Sequence, residues 1–301
     1  MLYLPAKIRS YNRETAIWSL VVINCNISST RGIVLLVDQA QGQAETAFKM
    51  ERWSGQIAVV TGASAGIGAA IAEKLVEHGL KVVGIARRKE RIEELADKLK
   101  DKQGSLHAVK ADVMQQEEII EAFDWINKNV GPISILINNA GVGRRTTIID
   151  GDIEEWKKVL DTNFLGTAIA SREAIKSMQA NKIDGHIVNI NSTAGHQVPS
   201  LPYNNVYPAT KFAVTALSET LRKDLITLGS KIKVTSVSPG CTMTEIFEAN
   251  GYTDDEQCRE LLKVVPSLKS EDVANAVVYV LGTPPGVQVT ELTVKPLGEF
   301  V

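Results

Sequence analysis

The stretch "IAVVTGASAGIGAAIAEKL", Ile57 to Leu75, decides the fold. Four apolar residues run into Thr61-Gly62-Ala63-Ser64-Ala65-Gly66-Ile67-Gly68, and a helical pattern follows at once. Glycines at these positions let the backbone turn sharply and come close to a pyrophosphate. The helix behind them offers its N-terminal amides to the anion. Ala69 and Ala70 are small enough to hold that helix close to a sheet. The spacing is G-x-x-x-G-x-G rather than the commoner G-x-G-x-x-G. Gly62, Ser64, Ala65, Gly66, Ile67 and Gly68 are therefore expected to cradle cofactor phosphates. The bland alternative is a glycine-rich turn with no ligand.

Outward from this turn the same rhythm repeats. Strands are expected at 57–60, 82–86, 106–109, 135–138, 186–191, 233–238 and 287–294. Helical patterns cover 67–78, 89–100, 117–129, 153–180, 207–228 and 270–281. Strand and helix in alternation call for parallel strands joined by right-handed crossovers. Strands that are apolar throughout belong to a sheet covered on both faces. The reading is a doubly wound, Rossmann-type α/β domain of seven strands at 50–301. Such sheets bind ligands at the carboxyl ends of their strands, where strand order reverses.

Composition excludes several other classes. The chain has 301 residues, is 44% apolar, and carries a net charge of -2. That balance argues against a nucleic-acid binder or a polybasic membrane anchor. Three scattered cysteines and four scattered histidines show no metal-ligand spacing, so no metal is expected. The cysteines suit a reducing compartment, and the cytoplasm is the expected location. No apolar segment reaches the ~20 residues that span a bilayer. "AIWSLVVI" (Ala16–Ile23) behind basic residues resembles an import sequence only faintly, with no small-residue cleavage site after it. Residues 1–49 are read as an extension outside the working domain, because "MERWSGQIAVVTG" from Met50 looks like a complete start.

The second strand ends in Ala86-Arg87-Arg88. An NAD-binding chain usually carries a carboxylate there for the ribose hydroxyls. Two guanidiniums stand in its place, and arginine pairs bidentately with a phosphate. Ser64 can add a hydroxyl. NADP(H) is thus expected over NAD(H). The alternative is that the arginines only begin a solvated helix.

"NNVYPATKFAV" (Asn204–Val214) sets Tyr207 four residues before Lys211. Residues at that spacing share a helix face. A neighbouring ammonium favours the phenolate and lowers a pKa that is ~10 in isolation. The same spacing at Tyr3 and Lys7 lies in the extension and is read as accidental. Tyr203 has Tyr207 rather than a lysine at its +4 position, and is rejected as the base.

Taken in order, these motifs resemble the short-chain dehydrogenase/reductases in their compact single-domain branch. The resemblance rests on TGASAGIG, Asp112-Val113, Asn138-Asn139-Ala140-Gly141, Asn163 in "LDTNFLG", Ser192 in "NINSTAG", Tyr207 and Lys211 in YPATK, and Pro239-Gly240 with Thr244. It implies that Tyr207 is the general acid/base and that Ser192 holds the substrate oxygen. It also implies that Lys211 grips the nicotinamide ribose and that Asn163 supports a water chain to solvent. Asp112 and Val113 resemble adenine contacts, and small Asn139, Ala140 and Gly141 leave room for the adenosine ribose. Pro239, Gly240 and Thr244 resemble the loop facing the carboxamide. Fourteen residues separate Ser192 from Tyr207, slightly more than most relatives carry, so Thr193 stays open as the alternative hydroxyl. His196 either touches substrate or shapes its loop. Cys241 is read as a small buried filler rather than an oxidation-sensitive thiol.

The segment from Cys241 to about Val265 resembles the variable substrate lid. Met243, Ile246, Phe247, Tyr252, Leu261 and Leu262, with Pro199, Leu201 and Pro202 opposite, suggest an apolar pocket. Met243 and Phe247 are the expected lid contacts to substrate. "VNINSTAGH", "YPATKFAVTALSETLRKDL" and "LTVKPLGEFV" resemble the cytosolic member-eleven group, whose insect branch includes NADP-dependent farnesol dehydrogenases. A farnesol-like alcohol, a ketosteroid or a dicarbonyl is the implied substrate, and a homodimer or homotetramer packed through the helices at 153–180 and 207–228 the implied assembly. The competing reading is an NADP(H)-binding redox sensor without turnover. A sugar-nucleotide epimerase would want more than the ninety residues that follow Lys211.

Overall fold

A computed structural model describes residues 49–200, 203–254 and 256–299, without the side chains at 257 and 261. The readings of residues 1–48, including the Tyr3 and Lys7 pair, and of Leu201, Pro202 and the Leu261 side chain lie outside the described residues.

Seven strands form one parallel sheet in the order β3-β2-β1-β4-β5-β6-β7. They are β1 (Ile57–Thr61), β2 (Lys81–Ala86), β3 (Ser105–Lys110), β4 (Ile133–Asn138), β5 (His186–Ile190), β6 (Lys233–Pro239) and β7 (Glu291–Val294). The order reverses between β1 and β4, so the switch point lies at Thr61 and Asn138. Every residue of β1, β4, β5 and β6 is buried, as a sheet covered on both faces requires.

Two helical layers cover it. On one face α1 (Gly66–Glu77) and the C-terminal helix bring Ile71, Leu75, Val273 and Val277 onto the strands, and α2 (Lys89–Lys98) adds Ile92. On the other face α3 (Gln116–Asn129) brings Phe123 and Ile126. α4 (Ile153–Leu160) leads to α5 (Gly166–Ala180), which adds Ala174 and Met178. α6 (Tyr207–Thr227) follows, with Pro208 in its first turn, where a missing N–H costs little. The lid segment forms α7 (Ile246–Ala249) and α8 (Glu256–Val264), and α9 (Ser270–Gly282) closes the domain. Met50 and Trp53 belong to the same core, and the indole Nε1 donates to the Leu281 carbonyl at 2.9 Å.

Two expectations need correction. The helix expected over 153–180 is interrupted by a π-helical turn at Asp161–Leu165. The last strand begins at Glu291, not 287. Val287 N–H turns back to Pro284 O at 2.9 Å, and the Lys233 ammonium donates to the carbonyls of Pro284 and Val287, which pulls this stretch off the ladder.

Candidate active site

The glycine turn is built by contacts that exclude side chains. Gly62 has φ +68° and Gly66 φ +55°, both in the left-handed region that suits glycine. A Cβ on Gly62 would stand 2.9 Å from the Ala140 Cα, and one on Gly68 would stand 2.4 Å from both Asn139 Nδ2 and the Gly62 carbonyl. The turn therefore lies flush against the end of β4. Thr61 fixes that approach. Its hydroxyl accepts the N–H groups of Asn139 and Ala140, each at 3.0 Å, while Asn139 Nδ2 donates to Thr61 O at 2.9 Å. Helix α1 starts with no side-chain cap and no acidic residue in its first turn. Its leading amides have no intrahelical partner.

At the reactive end, four expected residues meet. Ser192 follows β5 by two residues and caps a short 3-10 turn, its hydroxyl accepting from Ala194 N–H at 3.1 Å. Tyr207 opens α6 and hydrogen-bonds to Ser192 through its phenol. One turn on, Lys211 Nζ lies 5.8 Å from the Tyr207 ring centroid and donates to Ile190 O at 3.0 Å. Asn163 sits in the π turn, a distortion frequent at functional sites. Its Oδ1 accepts from Val142 N–H at 2.8 Å, and its Nδ2 donates to Val142 O and to Thr210 Oγ1. A Cβ on Gly141 would stand 3.6 Å from Asn163 Oδ1 and 3.9 Å from Lys211 Nζ. The segment 139–143 thus touches both the glycine turn and the tyrosine–lysine pair.

The electrostatics differ from the sequence expectation. Burial raises the Tyr207 pKa above its ordinary value, and the Ser192 hydrogen bond only partly opposes it. Burial also lowers the Lys211 pKa to about 8. Lys211 does not pull the phenol down in this state, because desolvation penalises the charged form of each partner. A neutral phenol and a readily deprotonated amine stand side by side.

The family profile for short chain dehydrogenases matches residues 56–255. The chain belongs to the short chain dehydrogenase family. It is 48% identical over 252 residues to farnesol dehydrogenase of Aedes aegypti, covering 83% of this chain and 99% of that one. It is 44% identical over 250 residues to dehydrogenase/reductase SDR family member 11 of Bos taurus, covering 82% and 98%. Among solved structures, the closed form of serine dehydrogenase complexed with NADP+ superposes with a TM-score of 0.72 at 34% identity, covering 79% of this chain and 94% of that one. This dehydrogenase is accordingly an oxidoreductase.

Around the centre, the dehydrogenase holds contacts that sequence reasoning missed. Arg87 Nη1 stands 3.8 Å from Asp112 Oδ2. Arg88 Nη2 lies 3.2 Å from Glu245 Oε2, and Arg91 Nη1 lies 2.8 Å from Glu245 Oε1. The carboxylate absent from the end of β2 is supplied by the lid. Thr244, beside it, covers the glycine turn: a Cβ on Gly66 would meet its Cβ at 3.2 Å. Gly240 packs on Glu299, and Cys241 N–H donates to Glu299 Oε1 at 3.0 Å. Burial and that carboxylate push the Cys241 thiol pKa up, which suits a filler. His196 Nε2 pairs with Ser238 Oγ at 2.9 Å and lies 3.3 Å from Glu291, so its ring is engaged with β6 and β7. Met243 is half-exposed, and Phe247 packs edge-on against Tyr252.

Proposed function

We propose that this dehydrogenase interconverts an apolar alcohol, farnesol-like or steroid-like, and its carbonyl with NADP(H), using Tyr207 as general acid/base. The observation that carries this reading is the meeting of Ser192, Tyr207, Lys211 and Asn163 beside a strand-end segment that also contacts the glycine turn. The relatives' names, a farnesol dehydrogenase and an NADP+ complex among them, support the substrate class and the coenzyme.

The residues present fit a dinucleotide. Gly62, Gly66 and Gly68 leave backbone bare at an uncapped helix start, and Ser64, Ala65 and Ile67 complete that turn. Arg87 and Arg88 offer guanidiniums to a 2′-phosphate. Asp112, Val113, Asn139, Ala140 and Gly141 would flank the adenosine half, and Pro239, Gly240 and Thr244 the nicotinamide half. When bound, the coenzyme supplies or accepts the hydride.

The chain's own part is the proton and the substrate's position. Ser192 hydrogen-bonds the reacting oxygen. Burial keeps Tyr207 protonated near neutral pH, the form that donates to a carbonyl oxygen as it becomes an alcohol. In the reverse direction the phenol first gives up its own proton toward solvent, and the resulting phenolate takes the alcohol's proton. Lys211 holds the ribose, and Asn163 orders the route by which the proton is replaced. Met243 and Phe247 provide apolar cover. The His196 contacts favour its loop-shaping role. Exposed Ile153, Leu160, Leu165 and Phe212 on α4, α6 and the π turn support self-association as a homodimer or homotetramer. Among the described residues no helix is long and apolar enough to cross a membrane. Among the described residues neither Cys241 nor Cys258 is in a disulfide, which supports a cytoplasmic setting.

The test is a steady-state screen of farnesol, steroids and diketones with both coenzymes, alongside Tyr207→Phe. The variant is expected to keep NADPH affinity and lose turnover. Turnover within a few fold of the parent would sink the reading, and coenzyme binding without turnover by the parent on any substrate would favour a sensor.

A further inference from the structure

The lid is fastened to the reactive end through one buried amide. Asn250 ends α7 and is 6% exposed. Its carbonyl accepts from Arg145 N–H at 3.2 Å, and its side-chain Oδ1 accepts from Arg144 Nη1 at 3.0 Å. Arg144 is itself held. Its Nε donates to Glu155 on α4, and Nη1 donates to Gly143 O at 2.8 Å. Glu155 is in turn paired with Lys158.

Arg144 also helps anchor the tyrosine's helix, through Asn205. Asn205, at φ +42°, accepts Tyr207 N–H at 2.9 Å on its Oδ1, while its Nδ2 donates to the Arg144 carbonyl and to Thr146 Oγ1. Asparagine tolerates this left-handed backbone better than most residues. Gly143 then lies between lid and tyrosine. A Cβ there would stand 3.3 Å from Asn250 Nδ2 and 3.9 Å from Tyr207 Cδ2. The Asn250 amide and the Tyr207 ring thus both face one bare backbone position, Gly143.

We propose that Asn250 is a specificity-determining residue: locked by Arg144 and Glu155, its amide walls the substrate space beside Tyr207 and limits the group that fits next to the reacting carbon. This deepens the reading in which Tyr207 is the reactive group, and rests on it. Arg144 and Glu155 are positioning residues that act through Asn250. The apolar rim of the lid supplies cover, whereas the buried amide sets the shape.

The test compares Asn250→Ala, Arg144→Met and the double variant. In the free protein, amide exchange over 246–252 is expected to quicken at least tenfold in each single variant, with no further gain in the double. With NADP+ saturating, the kcat/KM preference for a primary over a secondary allylic alcohol is expected to shrink by a similar factor in each, while NADP+ affinity holds. Arg144→Lys, which keeps the charge but loses the fork, gives an intermediate effect and serves if the methionine variant fails to fold. Unchanged exchange or unchanged preference in Asn250→Ala overturns the proposal, as does an additive double variant. Tyr207→Phe separates the two claims, because retained turnover there defeats the reactive-group reading while the exchange of the free protein still reports the latch.

Discussion

The Lys211 ammonium donates to the Ile190 carbonyl at 3.0 Å, tying the second turn of α6 to the last residue of β5, two positions before Ser192. That contact is made at a cost. Burial lowers the lysine's pKa to about 8 in the folded chain, against ~10.4 when unfolded. Between these values the unfolded chain binds more protons, so stability rises with pH. The penalty is fully present below about pH 8 and is relieved as pH climbs toward about 10.4. Lys211→Met removes this dependence. From pH 7.5 to 9.5 the parent is expected to gain about 2 kcal/mol relative to the variant, read from urea midpoints. Parallel pH curves would show that the amine is not desolvated.

Local patterns carried much of this into the sequence. Gly62, Gly66 and Gly68 follow a strand and open a helix, and Tyr207 and Lys211 share one face, so both ends of the site are visible in short windows. What stayed hidden depends on distant partners. Glu245 meets Arg88 across 157 positions, and no periodicity announces such a pairing. The π turn at Asn163 adds one residue to a helical turn without changing the apolar pattern around it. Residues 287–290 are apolar and polar in alternation like a strand, yet the Lys233 ammonium takes the Val287 carbonyl and the Thr235 hydroxyl that of Val289. The Tyr207 pKa depends on depth of burial, which a four-residue spacing does not encode.

Thr61 was legible only as part of a motif, yet its hydroxyl accepts two backbone N–H groups from the end of β4. Thr61→Val keeps the shape and removes the acceptor. Leaving two amides short of a partner is expected to cost about 2–4 kcal/mol, seen as a lower thermal midpoint. Because the glycine turn rests on this joint, coenzyme affinity should fall with it. Full stability in the valine variant would mean the turn is held by Asn139 alone.

His196 offers a way to separate a substrate contact from a loop support. Its Nε2 is committed to Ser238 and Glu291. His196→Ala is therefore expected to lose about 1 kcal/mol of stability and to leave KM for farnesol within twofold. A KM rise of tenfold at unchanged stability would instead place the ring against substrate.

In the proposed function, coenzyme choice turns on Arg88, which the lid carboxylate Glu245 engages at 3.2 Å. A 2′-phosphate approaching the end of β2 must share or displace that carboxylate. Arg88→Ala is expected to weaken NADPH binding about 10–100-fold, the range for losing a charge-assisted pair. NADH binding, which lacks the phosphate, should move less than twofold. Glu245→Gln frees the guanidinium and removes a competing negative charge. It is expected to tighten NADPH by only about threefold, since the pair is half-exposed and screened by salt. Titrations of both coenzymes at low and high salt provide the measurement. Equal losses for NADPH and NADH in Arg88→Ala would show that the arginine shapes the turn rather than reading the phosphate. An NADPH affinity unmoved by either substitution would pass the role to Arg87, whose carboxylate partner Asp112 stands farther off at 3.8 Å.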